Sequence, residues 1–190
     1  MKNNQSQKLF ALAAAMAFVL AFPAKADLVA NGGFETGDLT GWTFSGNPGF
    51  SSVVTSPSPI HSGTYAYSNG AVGSLGFISQ DLATTPGESY TLDFWLTNPG
   101  GTPSEFQVIW GTATILDLVN LGTFDWTEYS YTELATTSTT SLTFGFRQDP
   151  SFMQFDDVSV QASRVPDSTF TASLLGLGLL GLSALRRKFR

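Results

Sequence analysis

Short runs of alternating apolar and polar residues, separated by Gly, Pro and Asn, recur through the middle of this chain, and none of that region shows helical periodicity. The segment 90–97, YTLDFWLT, is the clearest example. In a strand, successive side chains point to opposite faces, so positions 90, 92, 94 and 96 form one apolar face. Such runs cover 42–45, 50–55, 64–68, 75–82, 89–97, 106–111, 114–118, 127–134, 141–147 and 153–161. They predict an all-β jelly-roll sandwich of about eight to ten strands.

The first 26 residues have the composition of a secretory signal peptide. Lys2 and Lys8 make the start positive, residues 9–22 are apolar, and an Ala-Lys-Ala sequence ends at Ala26. A positive start, an apolar stretch and a small-residue cleavage site are the three parts of such a peptide. The β-rich domain therefore comprises residues 27–161 of an exported protein.

The C-terminus predicts a single membrane helix and a basic tail over residues 169–190, after a linker and turn at 162–168. Residues 169–185 carry no charge, and as a helix they would be about 25 Å long, close to the hydrocarbon thickness of a bilayer. The basic residues that follow should stay in the cytoplasm and stop transfer: Arg186, Arg187, Lys188 and Arg190. A Pro-containing turn should lie just outside the membrane: Val165, Pro166, Asp167 and Ser168.

The domain between these two ends is strongly acidic. Residues 27–163 contain fourteen Asp and Glu but only one basic residue, Arg147, for a net charge of −13. Without a basic patch to neutralise phosphates, nucleic acid is excluded as a partner. The chain has no cysteine, so disulfides cannot stabilise the exported domain.

Several segments resemble carbohydrate-binding modules of the galactose-binding jelly-roll type. They are LVANGGFETGDLTGWTFSG, HSGTYAYS, ISQDLATTPGESYTLDFWL, WTEYSYTELATTSTTSLTFGF and FMQFDDVSV, which occur in the order typical of such modules. The resemblance covers essentially residues 28–160 and implies a polysaccharide ligand.

The tail resembles the PEP-CTERM sorting signal of Gram-negative bacteria, in a Val-Pro-Asp-Ser variant. In that family a short Pro motif, a membrane span and an arginine cluster are read by an exosortase. The resemblance implies an exosortase-type membrane protease as partner, transient anchoring in the inner membrane, and a final location at the cell surface or outside the cell. The tail is therefore predicted to be a removable export handle more than a permanent anchor.

The resembling modules often hold a structural calcium ion where the first strand meets the last. By motif, the side-chain ligands would be Glu35 of GGFE and Asp157 of FDDV, and Gly37 and Gly63 would lend carbonyls. Calcium takes six to eight oxygen ligands, which such residues supply. The alternative is that both carboxylates are exposed or cap turns.

Sugar binding in such modules depends on aromatic rings that stack on pyranose faces, with polar groups bonding the hydroxyls. Trp95 is the first candidate, because alternation places it on the polar face of its strand beside Asp93. Trp110 and Tyr131 are further candidates. The competing interpretation is that these rings pack within the fold.

Catalysis is not predicted. The only histidine, His61, precedes Ser-Gly in a turn and has no nucleophile or orienting acid beside it in sequence. Asp156 and Asp157 are adjacent, and neighbours in a regular strand point to opposite faces, so they should not flank one glycosidic bond. Two functions remain: a surface protein that binds or organises extracellular polysaccharide, or a structural or adhesive protein with no sugar ligand.

Overall fold

The computed structural model describes residues 26–56 and 58–163, which form a sandwich of ten strands. The prediction of an all-β fold is confirmed, and each predicted run matches an observed strand to within about three residues. The strands are β1 (Thr43–Gly46), β2 (Ser51–Thr55), β3 (Tyr65–Asn69), β4 (Gly76–Ala83), β5 (Ser89–Asn98), β6 (Ser104–Trp110), β7 (Ala113–Val119), β8 (Phe124–Leu134), β9 (Thr139–Gln148) and β10 (Met153–Ala162).

The strands form two five-stranded antiparallel sheets. Sheet A has the order β1-β4-β9-β6-β7, and sheet B has the order β2-β3-β10-β5-β8. The last strand, β10, therefore lies in the middle of sheet B. Its start pairs with β3, and most of its length pairs with β5.

The strand registers place alternate connections at opposite ends of the sandwich. The loops 47–50, 70–75, 99–103, 120–123 and 149–152 all lie at one end, which we call the loop pole. The chain leaves β10 towards residue 163 at the other end, the tail pole. Ten residues of β10 at about 3.3 Å each separate the two poles by roughly 30 Å.

The core lies between the sheets and is mostly aromatic. Tyr90, Leu92, Phe94 and Leu96 are all buried, which confirms the apolar face predicted for β5. Phe155 of β10 lies at the centre of this core, with rings from both sheets within 4.6–6.2 Å of its own. Burying large apolar side chains in this way supplies most of the free energy that stabilises such a fold.

Candidate functional site

The connection between β2 and β3 is held against sheet B by hydrogen bonds to a buried carboxylate. Asp156, fully buried in β10, accepts hydrogen bonds from the backbone N–H groups of His61 and Ser62 at 3.1 and 3.2 Å. Its other oxygen accepts the N–H of Asp157 at 2.8 Å. One carboxylate thereby satisfies three backbone donors, which fixes residues 61–62 against the last strand.

The next residue, Asp157, holds the side chains of the same segment. Its carboxylate lies 2.6 Å from Nδ1 of His61 and accepts a hydrogen bond from Oγ of Ser62 at 2.9 Å. Both neighbouring acids reach one segment because β10 has a β-bulge between 156 and 159, where Asp157 takes a φ of 51°. The expectation that Asp156 and Asp157 point to opposite faces is therefore wrong.

Glu35 fixes the far end of this segment. Its Oε1 accepts the backbone N–H groups of Thr64 and Tyr65 at 2.9 and 3.1 Å. The carboxylate fills the space beside Gly63, where a Cβ atom would lie only 2.2 Å from Oε1. Gly63 also has a φ of 65°, so a glycine is required here on both counts. We call residues 58–64 the clamped loop.

Both predicted side-chain ligands for calcium come near Gly33, Asp157 with its carboxylate and Glu35 with its Cγ atom. A Cβ atom at Gly33 would be 3.3 Å from Oδ1 of Asp157 and 3.7 Å from Cγ of Glu35. Gly37 instead contacts the ring of Tyr65. Among residues 26–56 and 58–163, no three His, Asp or Glu side chains are arranged to hold a metal ion. An ion here would therefore need backbone carbonyls and water as well as these two carboxylates, and such an all-oxygen set suits calcium.

Burial also affects the ionisation of the clamp. Loss of water around Asp156, together with the nearby charge of Asp157, raises the pKa of the Asp156 carboxyl to about 6. The hydrogen bonds that this carboxylate accepts from three backbone N–H groups lower its pKa, but they do not cancel the rise.

His61 also covers the first aromatic candidate. Its ring stacks on Trp95 with centroids 3.8 Å apart and planes 17° apart, and Trp126 lies 5.5 Å from it at the side. Trp95 and Asp93 are half-buried on the outer face of sheet B, as alternation predicts. One face of the Trp95 ring is thus already occupied by a ring of the protein itself.

Trp110 and Tyr131 lie elsewhere. Trp110 is 5% exposed, and its indole N–H donates to the carbonyl of Leu134 at 3.1 Å, so it belongs to the core and has no free face for a sugar. Tyr131 pairs with Leu92 and stacks near Phe94 at 6.2 Å, on the inner side of sheet B. The four predicted sugar contacts therefore do not form one surface.

A different aromatic ring lies on the outer face of sheet A. Phe77 of β4 is partly exposed, and its two ring edges lie against two glycines. A Cβ atom would approach the ring to 2.8 Å at Gly46 and to 2.7 Å at Gly145. Glycine at both positions makes room for the ring. Within residues 26–56 and 58–163, no other aromatic ring stacks on Phe77.

Polar side chains surround Phe77 on every strand of sheet A. The register sets one row across the sheet, consisting of Ser45, Phe77, Gly145, Gln107 and Asp117. In the next row, Ser79 and Thr143 have no hydrogen-bond partner for their hydroxyls within the described part of the chain. Beyond the row, Arg147 donates two hydrogen bonds to Asp149 at 2.8 and 3.0 Å. We call this surface the sheet A face.

Phe77 is not among the aromatic residues predicted to bind sugar, although the sequence carries a signal for it. In GFISQDLA the apolar residues Ile78 and Leu82 alternate with polar ones, and Phe77 is the one aromatic side chain on the polar side. The residue that pairs with it, Gly145, sits in the aromatic-rich strand β9 without a side chain of its own.

The signal peptide, the motif Val165–Ser168, the predicted membrane helix and the basic stop lie outside the described residues. In the part that is described, the structure contains no helix long and apolar enough to span a bilayer.

Comparison with known proteins gives one family and a set of similar folds. The family model described as carbohydrate binding domain, CBM_4_9, matches residues 26–151. Among solved structures, TmCBM61 in complex with β-1,4-galactotriose is 20% identical, with a TM-score of 0.60, covering 73% of this chain and 99% of that one. The CBM22-1 xylan-binding domain of Xyn10C from Paenibacillus barcinonensis is 16% identical, with a TM-score of 0.53 and coverage of 76% and 99%.

A third similar structure is the K3 cleaved adhesin domain of Lys-gingipain from Porphyromonas gingivalis. It is 16% identical, with a TM-score of 0.55, covering 72% of this chain and 98% of that one. No curated protein matches the chain. At these identities the solved structures establish a shared fold.

Proposed function

Because the chain belongs to the carbohydrate binding domain family, we propose that it binds a neutral polysaccharide on the sheet A face, with a sugar ring stacked on Phe77. The observation that carries this proposal is the placement of Phe77 between Gly46 and Gly145, with polar surroundings and with no ring of residues 26–56 and 58–163 stacked on it. Aromatic rings bind the apolar faces of sugars, and hydroxyl and amide groups nearby bond their hydroxyls.

The charge of the domain favours a neutral ligand. With fourteen acidic residues and one basic residue between 27 and 163, the domain repels polyanions. The single base, Arg147, is already paired with Asp149. Uncharged chains such as xylan or β-1,4-galactan meet no such repulsion.

The surface around Trp95 is the competing location. It offers more aromatic area, but the Trp95 ring is stacked on His61, and the side chain of His61 is held by Asp157. A sugar at Trp95 would have to displace His61 or use only the ring edges. The sheet A face requires no such rearrangement, which is why we place the ligand there.

Affinity electrophoresis of the full chain in gels containing xylan or β-1,4-galactan tests this location. We expect Phe77→Ala to weaken retardation about tenfold, since one stacking ring contributes roughly 1 kcal/mol or somewhat more. Trp95→Ala serves as the matched variant and should leave retardation unchanged. The reverse result would move the site to sheet B, and a wild-type chain that binds neither these nor other neutral polymers would favour a structural or adhesive protein without a sugar ligand.

The two ends of the chain support a proposal about location. A signal peptide over residues 1–26 and a PEP-CTERM-like tail imply export, transient anchoring in the inner membrane and removal of the tail by an exosortase-type protease. The motif Val165–Ser168 is where such a protease would act, because a proline disfavours helical backbone at the residue before it. Mass spectrometry of the protein from its host should lack peptides that run through Leu185 into Arg187; their recovery in the dominant form would mean that the tail is a permanent anchor.

We also propose that calcium stabilises the domain at Glu35 and Asp157. The ion would add oxygen coordination where the N-terminal segment, the clamped loop and β10 meet. Oδ1 of Asp157 and Cγ of Glu35 both lie within 4 Å of the Cβ position at Gly33, and the two carboxylates supply the oxygen ligands that calcium prefers.

A further inference from the structure

Two phenylalanines at the loop pole are exposed to an unusual degree. Phe50 is 67% exposed and Phe152 is 42% exposed, and their rings lie 6.4 Å apart in an edge-to-face arrangement. Val72, 48% exposed, lies in a third loop of the same pole. We call Phe50, Val72 and Phe152 the loop-pole patch. Large apolar side chains that lie together on a surface often mark an interaction site, whereas single exposed ones do not.

The three loops that carry the patch are bound to one another. Phe50 accepts a hydrogen bond at its carbonyl from the N–H of Gly70 at 3.0 Å, and Nδ2 of Asn47 donates to the carbonyl of Val72 at 2.7 Å. The carboxylate of Asp149 accepts the N–H of Gly73 at 3.0 Å. The rings are therefore presented on loops that are already ordered, so a ligand that contacts them need not pay for ordering those loops.

Local backbone geometry also favours a role for these rings. Phe50 has a φ of 58°, a region that a bulky side chain occupies only at a cost in free energy. Phe152 lies over Gly70, where a Cβ atom would come within 2.8 Å of its ring. Both features keep the rings on the surface, although burial would stabilise the domain more.

The loop pole is nearly free of charge, in contrast to the rest of the domain. In its five loops the only charged residue is Asp149, and that carboxylate is paired with Arg147. A second copy of this domain would bring a further −13 charges, which disfavours self-association. An acidic polymer would be repelled in the same way. What fits is a partner with apolar surfaces and no charge.

From these observations we infer that the loop-pole patch is a second binding surface for a neutral glycan chain. One pyranose stacks on Phe50 or Phe152 and contacts the other ring with its edge. This inference takes its class of ligand from the proposed function but not its location. The patch lies at the loop pole, whereas Phe77 lies on the sheet A face. A chain with two such surfaces can link two polysaccharide strands, or bind one strand twice with greater avidity.

The test uses the full chain in mild detergent and native gels containing xylan or β-1,4-galactan. We expect Phe50→Ala with Phe152→Ala to weaken retardation about tenfold, and Phe50→Leu with Phe152→Leu to weaken it nearly as much, because leucine keeps the apolar surface and loses the ring. Val119→Ala with Leu134→Ala, at two other exposed apolar positions, is the matched control and should behave as wild type. Thermal unfolding checks that each variant is folded.

The outcomes separate this inference from the proposed function. Normal retardation of the Ala pair, with loss in Phe77→Ala, overturns the second surface and leaves the first. Loss in the Ala pair, with normal retardation of Phe77→Ala, supports the patch and overturns the location proposed on sheet A. Wild-type retardation of the Leu pair, or a dimer in size-exclusion chromatography that the Ala pair dissolves, overturns glycan stacking at the patch. A wild-type chain that neither polymer retards overturns both.

Discussion

Each outer face of the sandwich carries an aromatic ring, Phe77 on sheet A and Trp95 on sheet B, but within the described residues only Trp95 has a ring from a loop stacked on it. Over Trp95 the clamped loop places His61, and three carboxylates hold the loop in position. Around Phe77 two glycines leave room for the ring, and polar side chains flank it. A ring on the polar side of a strand is thus a weak sign of function until its covering is known.

The largest expected effect concerns the clamp on sheet B. Asp156→Ala should lower the free energy of unfolding by about 3 kcal/mol, because three N–H groups lose their buried acceptor at once. Urea unfolding measures the change. Asp93→Ala, on the same sheet face and without a hydrogen bond in the described residues, should change it by no more than about 0.5 kcal/mol. Equal effects in the two variants would mean that Asp156 does not hold the loop.

Calcium sharpens the comparison, since its proposed ligands belong to sheet B and the segments packed on it. At a free concentration about a hundred times its dissociation constant, calcium should stabilise the domain by about 2.7 kcal/mol, and a chelator should reverse this. Magnesium at equal concentration should do much less, because it requires nearly octahedral ligands and gives up its bound waters reluctantly. Melting curves that coincide with and without chelator, or an effect that persists in Glu35→Gln with Asp157→Asn, would contradict the proposal.

On sheet A the informative change is a single methyl group. Gly145→Ala places a Cβ atom 2.7 Å from the Phe77 ring, which must move, so we expect polysaccharide affinity to fall about tenfold. Gly122→Ala, where a Cβ atom would have nothing within 4 Å, is the control and should bind normally. Isothermal titration with soluble xylan or galactan oligosaccharides gives both values. Unchanged affinity in Gly145→Ala would indicate that the position of Phe77 does not matter for binding.

The smallest effect is electrostatic and lies where the central strand of sheet A, β9, meets the loop pole. Hydrogen bonds from Arg147, and then from the N–H of Gly73, lower the pKa of Asp149 to about 2. Because that pKa is below its value in the unfolded chain, the pair stabilises the fold above about pH 4, and this contribution is lost as the pH falls towards 2. Asp149→Asn should therefore narrow the difference in unfolding free energy between pH 4.5 and pH 2.5. An unchanged difference in Asp149→Asn would mean that the pair with Arg147 does not stabilise the fold.

The strands could be predicted from the sequence because each one is defined by its own alternation and its flanking Gly, Pro or Asn. The apolar face at 90, 92, 94 and 96 was likewise local information. The bulge at Asp157 was not, since it depends on how β10 pairs with β5. Strict alternation therefore predicted that Asp156 and Asp157 lie on opposite faces, whereas in the folded strand both contact one loop.

The candidate site was predicted only in part, for a related reason. The position of Trp95 on the outer side of β5 followed from alternation, but its cover, His61, comes from a loop that lies 34 positions earlier in the chain. The same limit applies to Trp110, whose burial depends on packing between sheets. The uncovered state of Phe77 is a property of three neighbouring strands together, and no single run of the sequence carries it.

The central position of β10 has a consequence for the order in which this fold can form. Until residues 153–162 are available, β3 and β5 have no strand between them, and sheet B is two separate pairs with unpaired edges. The start of the domain waits for the same strand, because Leu28 donates its N–H to Val160 and Asp27 accepts the N–H of that residue. A chain truncated before residue 153 therefore leaves the sandwich incomplete and prone to aggregate. The fold can therefore be completed only after the last strand has been synthesised.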